Sequence, residues 1–195
     1  MKTINNPSES KWKKLAERPL IKQRKLMDTV ERMFYDINRK GDKAVLAFSR
    51  KFDYPAQQTL EVERETIAQA AEKVSERLKQ AIALAQKNIE TFHLSQREEV
   101  RKTETAPGVV CWREWLGIYI PGGTAPLFST VLMLAVPAKI AGCSEIVLCT
   151  PPNEEGEIHP AILYTAELTG VTRIFAAGGI QAIGAMCFGT ESIPR

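Results

Sequence analysis

The sequence has few of the residues that build metal sites or disulfide frameworks. It contains four cysteines and two histidines in 195 residues. The cysteines form no Cys-x-x-Cys pair and have no companion histidine at the spacing of a zinc site. We therefore predict no metal site within this chain. The cysteines are interpreted as structural, and those in apolar runs as small buried hydrophobes: Cys143, Cys149 and Cys187.

Long apolar runs are also missing. No segment approaches the roughly 18–20 apolar residues that cross a bilayer, and the polar start of the chain lacks the apolar core of a secretory signal. We therefore expect a cytoplasmic protein that does not interact with membranes.

Net charge is a modest +3, but basic residues gather near the N-terminus. A cluster of this kind can attract nucleic acid. Since no recognition motif or aromatic stacking platform accompanies it, a solvated helix face is favoured and no nucleic-acid partner is predicted. The basic residues concerned are Lys11, Lys13, Lys14, Arg18, Lys22, Arg24 and Lys25.

The first half of the chain has helical periodicity. Between residues 22 and 39, apolar side chains recur every three or four positions and predict an amphipathic helix. Gly41 is predicted to end it, and Asp42 to cap the next helix. A further helical stretch, residues 65–95, is predicted to divide into two helices at Ser75, which caps the second. Its inward side chains are predicted to include Leu84 and Phe92.

After residue 107 the pattern changes to that of an α/β fold. Residues 108–120 show the alternating side-chain pattern of strands and favour a hairpin or two short strands. Strand, loop and helix then follow one another three times. The second strand is predicted over residues 145–150 and is ended by Pro151-Pro152, and Pro137 is expected to kink the first of these helices. We predict an α/β protein with a mainly helical N-terminal region (1–107). An incomplete Rossmann-like parallel sheet with flanking helices (108–195) follows it.

Two glycine-rich loops follow predicted strands, at the edge where such sheets bind ligands. The first begins at Tyr119 and the second ends at Gln181, whose amide suits a ribose or a carboxamide. Glycines allow close backbone approach, and a helix start favours an anion. Neither loop has the spacing of a GxGxxG or a P-loop motif, so a plain structural turn stays open. Likewise, Tyr119 can be read as a half-buried core aromatic.

A long stretch of the second half resembles the histidinol dehydrogenase family. It reads Gly-Ile-Tyr-Ile-Pro-Gly-Gly-Thr-Ala-Pro-Leu-Phe-Ser-Thr-Val-Leu-Met from residue 117 to residue 133, and continues through Pro137-Ala-Lys-Ile-Ala-Gly-Cys143. Later segments fit the same family in the same order, among them Gly-Gly-Ile-Gln-Ala-Ile (178–183). The helical lead-in, with Gly41-Asp42 and Phe52-Asp53, also resembles it, so the likeness covers essentially the whole chain.

This resemblance implies a definite chemistry. Family members oxidise L-histidinol to L-histidine in two NAD-dependent steps at the end of histidine biosynthesis, with one zinc ion, as cytoplasmic homodimers. The resemblance also implies that Tyr119 and Gln181 contact NAD, in a crevice that includes Pro121, Gly122 and Gly123. The family's zinc ligands and its glutamate–histidine acid/base pair have no counterpart in this sequence. We therefore assign no catalytic or metal residue here.

The resemblance also leads to expectations about the isolated chain. Because base, metal and cofactor must converge for the reaction, residues 1–195 alone are expected not to oxidise histidinol. A missing next strand would expose a sheet edge and an apolar surface, so self-association or marginal stability is expected. A non-catalytic nucleotide-binding module derived from a shortened paralogue is the alternative.

Overall fold

The structure, a computed structural model, describes residues 4–16, 24–96, 103–111, 115–122 and 125–195. Its helices are α1 (Glu9–Ala16), α2 (Arg24–Lys40), α3 (Asp42–Phe52), α4 (Arg64–Ala70), α5 (Glu76–Leu94), α6 (Phe128–Ile140), α7 (Pro160–Thr169) and α8 (Gly179–Phe188). Its strands are β1 (Thr103–Ala106), β2 (Val109–Cys111), β3 (Trp115–Tyr119), β4 (Glu145–Thr150) and β5 (Arg173–Ala176). None of the described helices is long and apolar enough to cross a membrane.

Strands β3, β4 and β5 form a parallel sheet in chain order, with Cys149 of β4 opposite Tyr119 on one side and Phe175 on the other. Side chains alternate between the two faces of a strand. On one face Leu148 packs with α6 and α7, and on the other Phe175 packs with α8. Helices therefore cover both faces of a parallel sheet, which confirms the predicted α/β fold.

The N-terminal helices complete both layers. Helices α2 and α3 pack beside α8, while α4 and α5 pack against α7 and α6 respectively. Buried residues of both halves share the same cores, for example Ile37 and Val45 with Phe175. The antiparallel hairpin of β1 and β2 spans the division predicted at residue 107. The two-domain division itself stays a prediction.

The cap of α3 differs from the sequence prediction. Asp42 is the first helical residue, and Gly41, with φ +52°, precedes it. The Asp42 N–H donates to Glu191 Oε2 at 2.7 Å, and the Asp42 carboxylate accepts from the Ser192 hydroxyl at 3.0 Å. The predicted capping role of Asp42 is therefore wrong, because a carboxylate from the far end of the chain supplies the cap. Ser75, by contrast, is confirmed as a cap, since its hydroxyl accepts from the Leu78 N–H.

Three side chains predicted to be buried are exposed. Leu84 and Phe92 are 62% and 60% exposed, whereas Ile82 of the same helix is buried against Leu132 and Val136 of α6. Cys187 is also exposed, because α8 turns this side to solvent, whereas Cys149 is fully buried. Burial raises the pKa of the Cys149 thiol to about 12, so it stays protonated and acts as a core hydrophobe.

One prediction of local structure needs adjustment. The hairpin lies at residues 103–111, around Gly108 with its φ of +80°, while residues 115–119 join the parallel sheet. A single helix runs through Pro137, and the kink expected there stays a prediction. Strand β3 forms one edge of the sheet, and within the described residues no strand pairs with its outer side. The predicted self-association remains a prediction.

The segment at residues 60–62 covers the opposite edge of the sheet. It exchanges backbone hydrogen bonds with β5, Val62 N–H to Ile174 C=O at 2.8 Å and Ala176 N–H to Leu60 C=O at 2.7 Å. A bidentate ion pair between Glu61 and Arg173 reinforces this contact, with N–O distances of 2.9 and 2.7 Å.

This ion pair makes stability depend on pH. Hydrogen bonding from Arg173 lowers the pKa of Glu61, and a lowered folded pKa stabilises the protein above the unfolded pKa of about 4.3. The contribution disappears as pH falls through the folded pKa. At pH 7 we expect Glu61→Gln to lower the free energy of unfolding by about 0.2–1 kcal/mol, since the pair is partly exposed.

Chemical denaturation at pH 7 and at a pH below the lowered pKa of Glu61 checks this expectation. Glu63→Gln is the matched control, because Glu63 is exposed and makes no ion pair within the described part of the chain. If Glu61→Gln lowers the free energy of unfolding equally at both pH values, the ion pair with Arg173 is not the source of the stabilisation.

Candidate functional site

The loops after β3, β4 and β5 meet at the carboxyl edge of the sheet around Pro151. A Cβ atom on Gly122 would lie 2.6 Å from Pro151 Cγ, and one on Gly178 would lie 2.6 Å from Pro151 Cβ. Real Cβ atoms do not approach a rigid ring so closely, so both positions require glycine. Packing against Pro151 explains these two glycines without a ligand. The structural-turn interpretation therefore accounts for part of the loop composition.

Tyr119 is the last residue of β3 and is half-buried. Its hydroxyl oxygen accepts a hydrogen bond from the Gly179 N–H at 3.0 Å, which joins the first strand to the start of α8. Gly179 has φ +54°, a conformation that favours glycine. Because the hydroxyl acts as an acceptor here, its own proton remains available to donate to another group.

Gln181 lies in the first turn of α8 and is only 2% exposed. Its Nε2 donates to Asp53 Oδ2 at 2.9 Å, and the Gly178 N–H donates to the same oxygen at 3.1 Å. Asp53 directly follows α3 and carries its carboxylate to the start of α8. In the sequence, Asp53 is marked only by its place in the Phe52-Asp53 helix end.

An open cleft of about 220 Å³ lies on the other side of Pro151. This is smaller than the roughly 300–1,000 Å³ of typical ligand pockets, so it suits one part of a larger ligand. Its lining combines the loops after β3 and β4 with the start of α7: Pro121, Gly122, Ala125, Pro126, Thr150–Asn153, Glu157–Pro160 and Ile162. Exposed His159 uses its Nδ1 to cap α7 by accepting from the Ala161 N–H at 3.1 Å.

The structure thus brings together most of the predicted site. Tyr119 and Gln181 both lie beside Gly179. The Tyr119 hydroxyl accepts from the Gly179 N–H, and a Cβ atom on Gly179 would lie 3.4 Å from Gln181 Oε1. Pro121 and Gly122 line the neighbouring cleft. Gly123 lies outside the described residues. Over the described ranges, no three histidine, cysteine, aspartate or glutamate side chains group in a way that would hold a metal ion.

The residues that sequence reasoning missed are connected over long distances in the chain. Asp53 lies 125 residues before Gly178 and 128 before Gln181. Its only local signal was its position after an apolar helix. Pro151 was seen as a strand terminator, yet it is the residue around which two glycine-containing loops pack.

Comparison with known proteins gives a consistent result. A family model described as histidinol dehydrogenase matches residues 16–195. The histidinol dehydrogenase of Bacteroides thetaiotaomicron is 55% identical over 100% of this chain and 47% of its own length. That of Escherichia coli K12 is 46% identical over 98% of this chain and 44% of its own.

A solved structure agrees with these sequence relatives. The crystal structure of histidinol dehydrogenase from Elizabethkingia anophelis superposes with a TM-score of 0.82 at 51% identity, covering 97% of this chain and 45% of that one. The chain thus spans about half the length of the curated relatives it matches.

Proposed function

Since this chain belongs to the histidinol dehydrogenase family, we propose that it forms the NAD-binding part of an enzyme that oxidises L-histidinol to L-histidine. Identity of 55% across the whole chain is the observation that carries this proposal. We further propose, from the same family membership, that the whole protein acts in histidine biosynthesis, in the cytoplasm, as a homodimer.

The chemistry of the carboxyl edge fits a nicotinamide dinucleotide. Tyr119 offers a hydroxyl proton, and Gln181 offers an amide oxygen, so a hydroxyl or a carboxamide of the ligand finds both a donor and an acceptor. The cleft beside Pro151 adds room for another part of the ligand. No side chain caps the N-terminus of α6 within the described residues, so its N–H groups suit a phosphate.

Zinc is proposed for the whole protein only. Within the described residues no cluster of suitable side chains exists to hold it, and the residues of this chain are given no role in binding it.

When bound, NAD supplies the acceptor for the hydride that leaves the alcohol carbon. The part of this chain is to bind and orient the dinucleotide: Tyr119 by donating its hydroxyl proton, Gln181 by accepting through Oε1, and Gly179 by holding the tyrosine hydroxyl in place.

Removal of the tyrosine hydroxyl tests this proposal. We expect Tyr119→Phe to weaken NAD binding about tenfold, because one ligand hydrogen bond is lost and the Gly179 N–H loses its partner. Isothermal titration of the natural polypeptide that carries residues 1–195 measures the change. Tyr35→Phe is the matched control, since exposed Tyr35 on α2 contacts Arg39 and no residue of the site.

Two outcomes would count against the proposal. Absence of NAD binding by the wild-type polypeptide would reject a nucleotide site outright. Equal NAD affinity of wild type and Tyr119→Phe would show that the dinucleotide binds elsewhere on the protein.

A further inference from the structure

We propose that Asp53 is a positioning residue that determines which part of the dinucleotide binds beside Tyr119 and Gln181. This inference rests on the proposed function. Asp53 orients the Gln181 amide and occupies the N-terminus of α8 with a negative charge, so the ligand group bound there is a neutral hydroxyl or carboxamide, not a phosphate.

Asp53 sets the orientation of the Gln181 amide. A side-chain amide has a donor end and an acceptor end, and an ionised carboxylate only accepts. Asp53 Oδ2 therefore requires the NH₂ group of Gln181 to face it, and the two atoms lie 2.9 Å apart. Since the amide is buried, the opposite orientation would place two oxygens together at a high cost. Asp53 thus turns Oε1 toward Gly179 and makes Gln181 an acceptor in the site.

Side chains of the protein occupy the start of α8. The first N–H groups of a helix attract anions, and in Rossmann folds such positions commonly hold phosphates. At α8 the protein's own carboxylate accepts from the Gly178 N–H at 3.1 Å, and Tyr119 accepts from the Gly179 N–H. A phosphate brought to this position would meet the negative charge of Asp53 across a short distance. Repulsion of this kind disfavours an anion here.

The matching ligand group must donate to Gln181 Oε1 and accept from the Tyr119 hydroxyl. A ribose hydroxyl does both with one oxygen, and a nicotinamide carboxamide does so with its two ends. These two groups share the same neutral donor–acceptor chemistry.

The variant Asp53→Asn separates this role from simple structural support. Both hydrogen bonds end on one oxygen, Oδ2, so an asparagine oxygen at that place keeps them while the charge is removed. The hydrogen bond from Gln181 to this neutral oxygen is weaker than the charge-assisted bond to Asp53, so the amide is held less firmly in its acceptor orientation. Asp36→Asn is the matched control, because it removes the same charge from α2, where Asp36 pairs only with Lys40 among the described residues.

Titrations of the natural polypeptide that carries residues 1–195 use NAD, ADP-ribose and inorganic pyrophosphate. For Asp53→Asn we expect NAD to bind about tenfold more weakly and pyrophosphate at least fivefold more tightly, with no change in Asp36→Asn. If the binding of ADP-ribose is weakened as much as that of NAD, the ligand group at Gln181 is a ribose hydroxyl. If the binding of ADP-ribose is unchanged while that of NAD is weakened, the ligand group at Gln181 is the nicotinamide carboxamide.

Unchanged affinities for NAD and pyrophosphate in Asp53→Asn would overturn the proposal. So would a proportional loss for all three ligands together with a lower melting temperature, since that pattern indicates structural support alone. If wild type binds no NAD, the proposed function fails, and the pyrophosphate comparison still decides whether Asp53 excludes anions from α8.

Discussion

Replacement of Phe175 by alanine is expected to lower the free energy of unfolding by about 3–5 kcal/mol. Phe175 is fully buried in β5 and packs in the core formed by the sheet, α8 and the helices α2 and α3. Removal of its ring leaves a cavity between the N-terminal helices and the sheet, and the Arg173 guanidinium, 4.9 Å from the ring centre, loses its stacking partner. Urea denaturation followed by circular dichroism measures the loss.

Phe92→Ala is the control for this substitution. The same side chain is removed from a position that is 60% exposed on α5, so a change within about 0.5 kcal/mol is expected. Equal effects of the two substitutions would mean that the β5 core does not hold the N-terminal helices on the sheet.

Gly178→Ala is expected to be the most damaging small change at the candidate site. The new methyl group would lie 2.6 Å from Pro151 Cβ and 2.9 Å from Asp53 Oδ1. Neither neighbour can withdraw easily, because one is a proline ring and the other holds the start of α8 through two hydrogen bonds. We expect a loss of about 1–3 kcal/mol in stability and, because the loops no longer fit together, a loss of NAD binding.

Gly117→Ala provides a close comparison for this effect. A Cβ atom at Gly117 would also be too close to a neighbour, at 2.9 Å, but that neighbour is the Met186 sulfur. A flexible methionine end can move aside, so a cost below about 1 kcal/mol is expected. If Gly117→Ala is as damaging as Gly178→Ala, rigid packing around Pro151 is not the reason for the glycines.

Local patterns predicted much of the fold. Strand β4 was predicted with the bounds that the structure has, because the run is mostly apolar and lies between turn residues. The helical period identified α2, and Ser75 correctly marked the start of α5 because its cap bond is local. Such features depend on neighbours within a few residues, which a single sequence displays.

The parts that the sequence did not reveal depend on distant partners. Glu191 caps α3 from 149 residues away, and Asp53 reaches α8 across 125 residues. Nothing near either carboxylate indicates its partner. The exposure of Leu84 and Phe92 has the same origin, since helical spacing shows that a face is apolar but not how much of it a neighbouring helix covers.

A crystal structure of the natural polypeptide that carries residues 1–195, grown with saturating NAD, would show where the dinucleotide binds. We expect it along the carboxyl edge of β3, β4 and β5, partly in the cleft beside Pro151. A neutral group of the ligand should lie within hydrogen-bonding distance of both Tyr119 Oη and Gln181 Oε1. A dinucleotide that contacts neither atom, or that places a phosphate at the start of α8 against Asp53, would contradict this expectation.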